Sequence, residues 1–253
     1  MAYHDDKLKR GFGHLINVWG ADHGGYIVRV KAGIKALGWE GDPLRVQLVQ
    51  MVSLSRGGKS VRMGKRLGTA VWLRDVVEEA GRDATRYFFV MRRADSQMDF
   101  DIDLATKKSL DNPVYYAQMG HARLASIARR ANEAGVATPV YREGVFATLT
   151  LPEEIGIIRK MSQAPELVAY AAAQQEPHLV VHYLQDLIAD FHSYYSRYKN
   201  SERVISDDVE KTQARLLMCR ALQGVLRSLL GILGVEAPEE MYLDPDAETL
   251  EGH

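Results

Sequence analysis

Two stretches in the second half of the chain repeat apolar residues at spacings of three and four. They are Val180, Leu184, Leu187, Phe191, Tyr194 and Tyr198, then Leu216, Cys219, Leu222, Leu226, Leu229 and Leu233. At 3.6 residues per turn, such a repeat keeps all its members on one helix face, which only a partner surface can cover. The stripes predict core seams of a helix bundle, with no cofactor implied. Other helices are marked by their starts. Pro113 suits the first turn of a helix running to about Asn132, before Gly135; Pro152 with Glu153 and Glu154 opens another, and Pro165 and Pro177 two more. Residues 136–150 read as a loop, and everything beyond Lys107 reads as all-α.

The first part has a different rhythm. Leu15 to Trp19 is a short apolar run between glycines and predicts a buried strand. A turn at Gly20–Gly25 leads into a helix with Ile27, Val30, Ile34 and Leu37 at helical spacing, closed by Gly38. Asp42-Pro43 then turns into a strand over Leu44–Leu54. Strand, helix and strand make a βαβ unit, whose ligand side is where strands give way to loops. A doubly wound fold needs five or more strands, and about two fit before Met63. The chain is therefore expected to hold the second half of such a fold without the first. Further on, Asp75 and Asp83 are expected to cap two short helices, the first ending at Gly81. Asp99, Asp101 and Asp103 alternate with Phe100, Ile102 and Leu104 as an extended connector with a solvated acidic face. No histidine or glycine completes a calcium-loop pattern there, so no protein-bound metal is expected.

Length and composition narrow the classes. At 253 residues, 46% hydrophobic and 26% charged, the chain can bury an ordinary core in one or two domains. No apolar run reads as a membrane span and no signal segment opens the chain, which points to the cytoplasm and away from membranes. The single cysteine, Cys219, excludes an internal disulfide and falls on a helical stripe, as a buried small hydrophobe would. A net charge of −1 does not advertise nucleic-acid binding, so a local basic face would have to carry it. Asn112, Tyr115, Tyr116, His121, Arg123, Arg129 and Arg130 lie on or beside one helix, and Arg220 and Arg227 on the last. Aromatics among cations suit an unstacked RNA loop. The tyrosines serve equally well as core, and the arginines as ordinary solvated residues.

A basic loop carries the remaining signal. Arg62, Lys65 and Arg66 fall within five positions of one another beside Gly64 and Gly68, after a Gly-rich turn at 56–59. Such a loop can close over a triphosphate, meeting charge that develops in the transition state. The run Val61-Arg62-Met63-Gly64-Lys65-Arg66-Leu67-Gly68 resembles the signature loop of class I aminoacyl-tRNA synthetases, in its arginyl branch. Trp19-Gly20-Ala21-Asp22-His23-Gly24-Gly25-Tyr26 resembles that family's Trp-Gly-Ala-Asp-His-His-Gly-Tyr segment. Asp99 to Leu104, followed by Asp111-Asn112-Pro113-Val114-Tyr115-Tyr116, resembles the entry to its anticodon-binding domain. Order and spacing agree over about residues 3–241. By contrast, Gly11-Phe12-Gly13-His14 is not the family's His-x-Gly-His signature, which lies far upstream of the Gly-Ala-Asp-His stretch.

The resemblance implies ATP-dependent activation of arginine to arginyl-adenylate, then transfer to tRNA(Arg), with Mg2+ carried by ATP. It implies that Lys65 contacts the β- and γ-phosphates, with Arg62 and Arg66 in support and Met63 and Gly64 at the nucleotide. Gly20, Asp22 and His23 fall near the adenosine, and Asp22, Tyr26 and Gln50 near arginine, where a carboxylate can pair a guanidinium. Asp22 and His23 would equally serve as plain caps of the following helix. Four departures stand out: Gly64 replaces a usual serine, Arg66 the last serine of the general class I motif, Arg62 a usual lysine, and Gly24 a second histidine. The implied layout is a Rossmann-like α/β half-domain over 1–75 with its loop at 61–68, then a helical connector over 76–110. An all-α anticodon-binding bundle over 111–241 follows, with an acidic, disordered tail over 242–253. Three readings follow: part of an arginine–tRNA ligase, doubtfully active without its N-terminal half (which a separate chain could supply); a stand-alone tRNA-binding module; or a degenerate paralogue.

Overall fold

The computed structural model describes residues 1–61 and 71–242. They form two compact units, one of residues 1–61 and 92–100 and another of residues 71–91 and 101–242. The signature-loop residues Arg62 to Gly68 and the tail from Leu243 onward lie outside the described residues.

In the first unit, β1 (Leu15–Gly20) and β2 (Leu44–Val49) pair in parallel, with Leu15 opposite Leu44 and Gly20 opposite Val49. Helix α2 (Ile27–Ala36) connects them, as a parallel crossover requires. Leu8, Leu15, Ile34 and Leu44 form the buried centre, with Val30, Trp39 and Val46 packed against it. Leu8 comes from helix α1 (Ala2–Lys9), which the polar composition of residues 1–14 concealed. That helix is tied down by polar contacts: Trp39 Nε1 donates to Asp5 at 2.9 Å, and His4 Nε2 meets the Asn17 amide at 2.8 Å.

The single strand expected over Leu44–Leu54 is two strands. β2 stops at Val49, and the Gln50 N–H donates to the Ala94 carbonyl at 2.8 Å, which ends the parallel ladder. β3 (Val52–Arg56) then enters a separate three-stranded sheet with β4 (Lys59–Ser60) and β5 (Met98–Asp101), in the order β4-β3-β5. Gly57 and Gly58, at φ +57° and +69°, supply the two positive dihedrals that a tight hairpin turn needs. The acidic connector is also more than a solvated face. The Asp99 carboxylate accepts from Ser55 and, at 2.7 Å, from Ser53, and these bonds hold it below the usual carboxylate range.

The second unit is helical: α3 (Leu73–Ala80), α4 (Arg82–Val90), α5 (Ile102–Thr106), α6 (Pro113–Glu133), α7 (Pro152–Ser162), α8 (Ala164–Gln174), α9 (His178–Tyr198) and α10 (Val209–Leu233). Asp75 does not cap α3. It sits three residues inside and accepts the Trp72 N–H at 3.0 Å, so the helix starts earlier than expected. Asp83 likewise lies within the first turn of α4, which begins after Gly81. Asp101 does cap α5, accepting from the Leu104 N–H at 3.1 Å.

Helices α6, α9 and α10 pack on one another along the two stripes, whose Val180, Leu184, Leu187, Phe191 and Tyr194, and all six named positions of α10, are buried. Each such side chain contributes about 1.5–3 kcal/mol. Helix α10 is long and apolar enough to cross a bilayer by length and composition alone, but its apolar stripe is buried in the bundle. Gly120 lets α6 approach α9, since a Cβ there would lie 2.9 Å from Ile188 Cγ2. A buried ion pair ties α7 to α10: Arg215 Nε donates to Glu154 at 2.7 Å, their side chains 2% and 0% exposed. Tyr194 also donates to Glu154, at 3.1 Å, and Arg215 reaches the Arg203 carbonyl and Glu202. Burial pushes the Cys219 thiol up to about 12, consistent with an inert core residue.

Candidate functional site

The parallel register brings Gly20 and Val49 to the same end of the β1–β2 pair, the carboxyl end, where open α/β sheets bind ligands. Gly20 leads into a 3₁₀ turn over Ala21–Tyr26 that presents the segment picked out by sequence. Asp22 folds back over Gly20: a Cβ on Gly20 would lie 2.6 Å from the Asp22 carboxylate, which would then have to swing aside. His23 Nε2 stands 3.7 Å from the same carboxylate, and its ring lies 6.0 Å from that of Tyr26. Arg29 stacks over Tyr26 at 5.4 Å. Gln50 follows β2 at the same end. Gly24 faces Leu48, whose Cδ1 would be 3.3 Å from an added Cβ. Arg62, Met63, Gly64, Lys65 and Arg66, the phosphate-binding candidates, fall outside the described residues.

In the helical unit, the RNA candidates separate into structural and accessible groups. Asn112 is buried as the cap of α6: it accepts the Val114 N–H and donates to the Ala105 and Lys107 carbonyls at 3.0 and 2.9 Å. Tyr115 is buried, with its hydroxyl on the Tyr242 carbonyl. His121 is fully buried, with Nδ1 2.8 Å from the Pro238 carbonyl, and burial lowers its pKa. Tyr116 meets the ring of His192 edge-on at 5.0 Å. Arg220 lines a separate cavity of about 230 Å³ beside Cys219, and Arg227 pairs with Glu239 at 2.9 Å.

Arg123 and Arg129 come together. With Arg130, Ser126 and Tyr195 they line an open cavity of about 460 Å³, bordered by Glu239, Glu240 and Tyr242. Arg123 lies over the Tyr195 ring at 5.8 Å. A neighbouring cavity of about 240 Å³ shares Ile127, Arg130 and Tyr195 and adds Tyr198, Lys199 and Arg203. Arg123, Ile127 and Arg130 recur at helical spacing, which puts this lining on one face of α6. Tyr195 was not singled out from sequence. It adjoins the core tyrosine Tyr194 and lies off the apolar stripe, and that offset was the available signal. Arginines over an aromatic ring beside open space suit stacked bases and phosphates.

Residues 117–241 match the DALR anticodon binding domain. The arginine–tRNA ligase of Anaeromyxobacter sp. (strain Fw109-5) is 53% identical over 242 residues, which are 95% of this chain and 40% of that protein. A solved Campylobacter jejuni structure, assigned to arginyl-tRNA synthetase, superposes with a TM-score of 0.78 at 30% identity, covering 94% of this chain and 50% of that one. The Thermus thermophilus arginyl-tRNA synthetase gives 0.74 at 22% identity, over 90% of this chain and 41% of its own, a likeness of fold. The chain thus spans about 40% of the length of the curated relatives it matches. A domain match over residues 117–241, a half-identical relative and a shared fold agree that the chain is similar, over 95% of its length, to part of an arginine–tRNA ligase.

Proposed function

We propose that this chain is the tRNA-holding portion of an arginine–tRNA ligase and also supplies that enzyme's phosphate-binding loop. In this reading the helical unit takes tRNA(Arg) on the face of α6 lined by Arg123, Arg129, Arg130 and Tyr195. The supporting observation is that pocket, with three guanidiniums and an aromatic ring inside the segment matching an anticodon binding domain. Asn112, Tyr115 and His121 act by shaping the face, since the Asn112 amide, the Tyr115 hydroxyl and the His121 Nδ1 are engaged within the helical unit.

The catalytic reading adds ATP, brought with Mg2+, and arginine at the carboxyl end of β1 and β2. Asp22 is exposed there for an arginine guanidinium, with Tyr26 on the same turn against His23. Lys65, with Arg62 and Arg66, neutralises the β- and γ-phosphates as the arginine carboxylate attacks the α-phosphate and pyrophosphate leaves. A ribose hydroxyl of the tRNA then takes the arginyl group and releases AMP. Positioning and charge neutralisation suffice, without a covalent enzyme intermediate. Ile16 and Val18 of β1 are 55% and 68% exposed, whereas parallel strands ordinarily have both faces covered. The remaining part of the nucleotide fold, in the same polypeptide or a separate one, is the partner that covers them. The site of action is the cytoplasm.

Binding of arginine-accepting tRNA tests the first claim. Arg123→Ala with Arg129→Ala should weaken it at least about tenfold, since charge-assisted phosphate contacts are lost; undiminished binding would move the RNA face elsewhere. The 253 residues alone should show no arginine-dependent ATP–pyrophosphate exchange above a Lys65→Ala control, and exchange above it would refute the need for the remaining fold.

A further inference from the structure

Past α10 the chain turns back across the bundle, and its contacts there are of two chemical kinds. The backbone is held by fixed donors and acceptors. Glu236 donates its N–H to Asp83 at 2.9 Å, Gln118 donates to the Glu236 carbonyl at 3.1 Å, and the buried His121 and Tyr115 hold the Pro238 and Tyr242 carbonyls. The side chains of Glu239 and Glu240 behave differently. They rest on Arg227 at 2.9 Å and Arg129 at 3.2 Å, with all four side chains between 45% and 65% exposed. The backbone is held at four points, two of them on the buried His121 and Tyr115, and the carboxylates lie on solvated guanidiniums.

We propose that Glu239 and Glu240 form a built-in counter-anion over the RNA face, occupying Arg227 and Arg129 until RNA phosphates displace them. The proposal rests on the RNA-binding reading above. Exposed ion pairs are individually weak, so exchange requires no unfolding of the bundle. An RNA phosphodiester presents the same acceptor geometry and the same unit charge to a guanidinium as a carboxylate, and its neutralisation also releases counterions condensed on the polyanion. Because the backbone stays anchored, the released carboxylates remain beside the RNA and reduce the net positive charge of the face. RNA that places phosphates at both arginines overcomes this; RNA that touches only one does not. The strap therefore suppresses loose, sequence-independent binding, as like-charge juxtaposition does at other interfaces.

The test titrates the 253-residue chain and its Glu239→Gln/Glu240→Gln variant with unfractionated tRNA, from about 50 to 300 mM salt. The variant should bind about five- to tenfold tighter at about 0.1 M salt. Its slope of log affinity against log salt should be steeper by about one to two, because no displaced carboxylates remain to hold cations beside the bound RNA. Placed on an Arg129→Ala/Arg227→Ala background, the same glutamine changes should alter affinity less than about twofold. Glu236→Gln removes a carboxylate near Arg82 rather than these arginines and should also change affinity less than about twofold. If wild type binds and the double glutamine variant shows the same affinity and slope, the strap is refuted and the RNA reading stands. A gain that survives loss of both arginines, or that Glu236→Gln reproduces, also refutes it. Absence of RNA binding by every variant removes both readings together.

Discussion

The two units solve the same problem, covering apolar surface, with unequal means. The helical unit closes on itself: two long stripes meet along α6, α9 and α10, and a buried Glu154–Arg215 pair joins α7 to α10. In the α/β unit the cluster under β1 and β2 has four buried residues, and the β1 strand leaves Ile16 and Val18 to solvent. A two-stranded parallel pair covered on part of its surface is marginal on its own. This inequality decides where function can reside in the chain. RNA binding needs a stable face, which the bundle has; nucleotide chemistry needs a sheet whose faces are covered, and here the covering is incomplete.

The bundle's buried charge gives the strongest probe of this contrast. Arg215→Met leaves Glu154 buried and short of its partner, which should cost about 3–5 kcal/mol by urea denaturation followed at helical wavelengths. A loss under about 1 kcal/mol would mean that the pair is solvated in practice.

A second effect is pH dependence. Burial drops the His192 pKa from 6.5 to about 4, and the Arg123 charge adds to this. The unfolded chain therefore takes up a proton between those values while the folded chain does not. Stability contributed by neutral His192 is present above pH 6.5 and is lost as pH falls toward 4, by about 3 kcal/mol at most. His192→Phe should flatten that part of the stability–pH curve, and an unchanged slope would assign it to other groups.

The weakest of the three probes the other unit. Leu44→Ala removes a fully buried side chain, at a cost of about 2–3 kcal/mol, from a core of few members. It should abolish a low-denaturant transition and leave the helical transition at the same midpoint. A shift of the helical midpoint would show that the two units unfold as one.

Much of this was legible in the residues because long periodic stretches leave few alternatives. The α9 and α10 stripes, the Pro113 start of α6 and the β1–α2–β2 order all follow from local patterns. What was hidden depended on distant partners. Helix α1 buries one leucine and is held by Trp39 and Asn17, which no periodicity reveals. The break at Gln50 is set by a carbonyl at Ala94, and Asp99 finds its serines on another strand. Among the RNA candidates, residue type drew attention to α6 and could not say which way each side chain faces. Asn112, Tyr115 and His121 turned inward to hold other parts of the bundle, while Tyr195, beside a core tyrosine, lines the open cavity.

Hydrogen exchange resolved along the native chain would decide whether the two units differ as described. Amides in β1 and β2 should exchange through low-energy local opening, with protection at least about a hundredfold below that of α9 and α10. Equal protection across both units would contradict this and would mean that the α/β unit is complete as it stands.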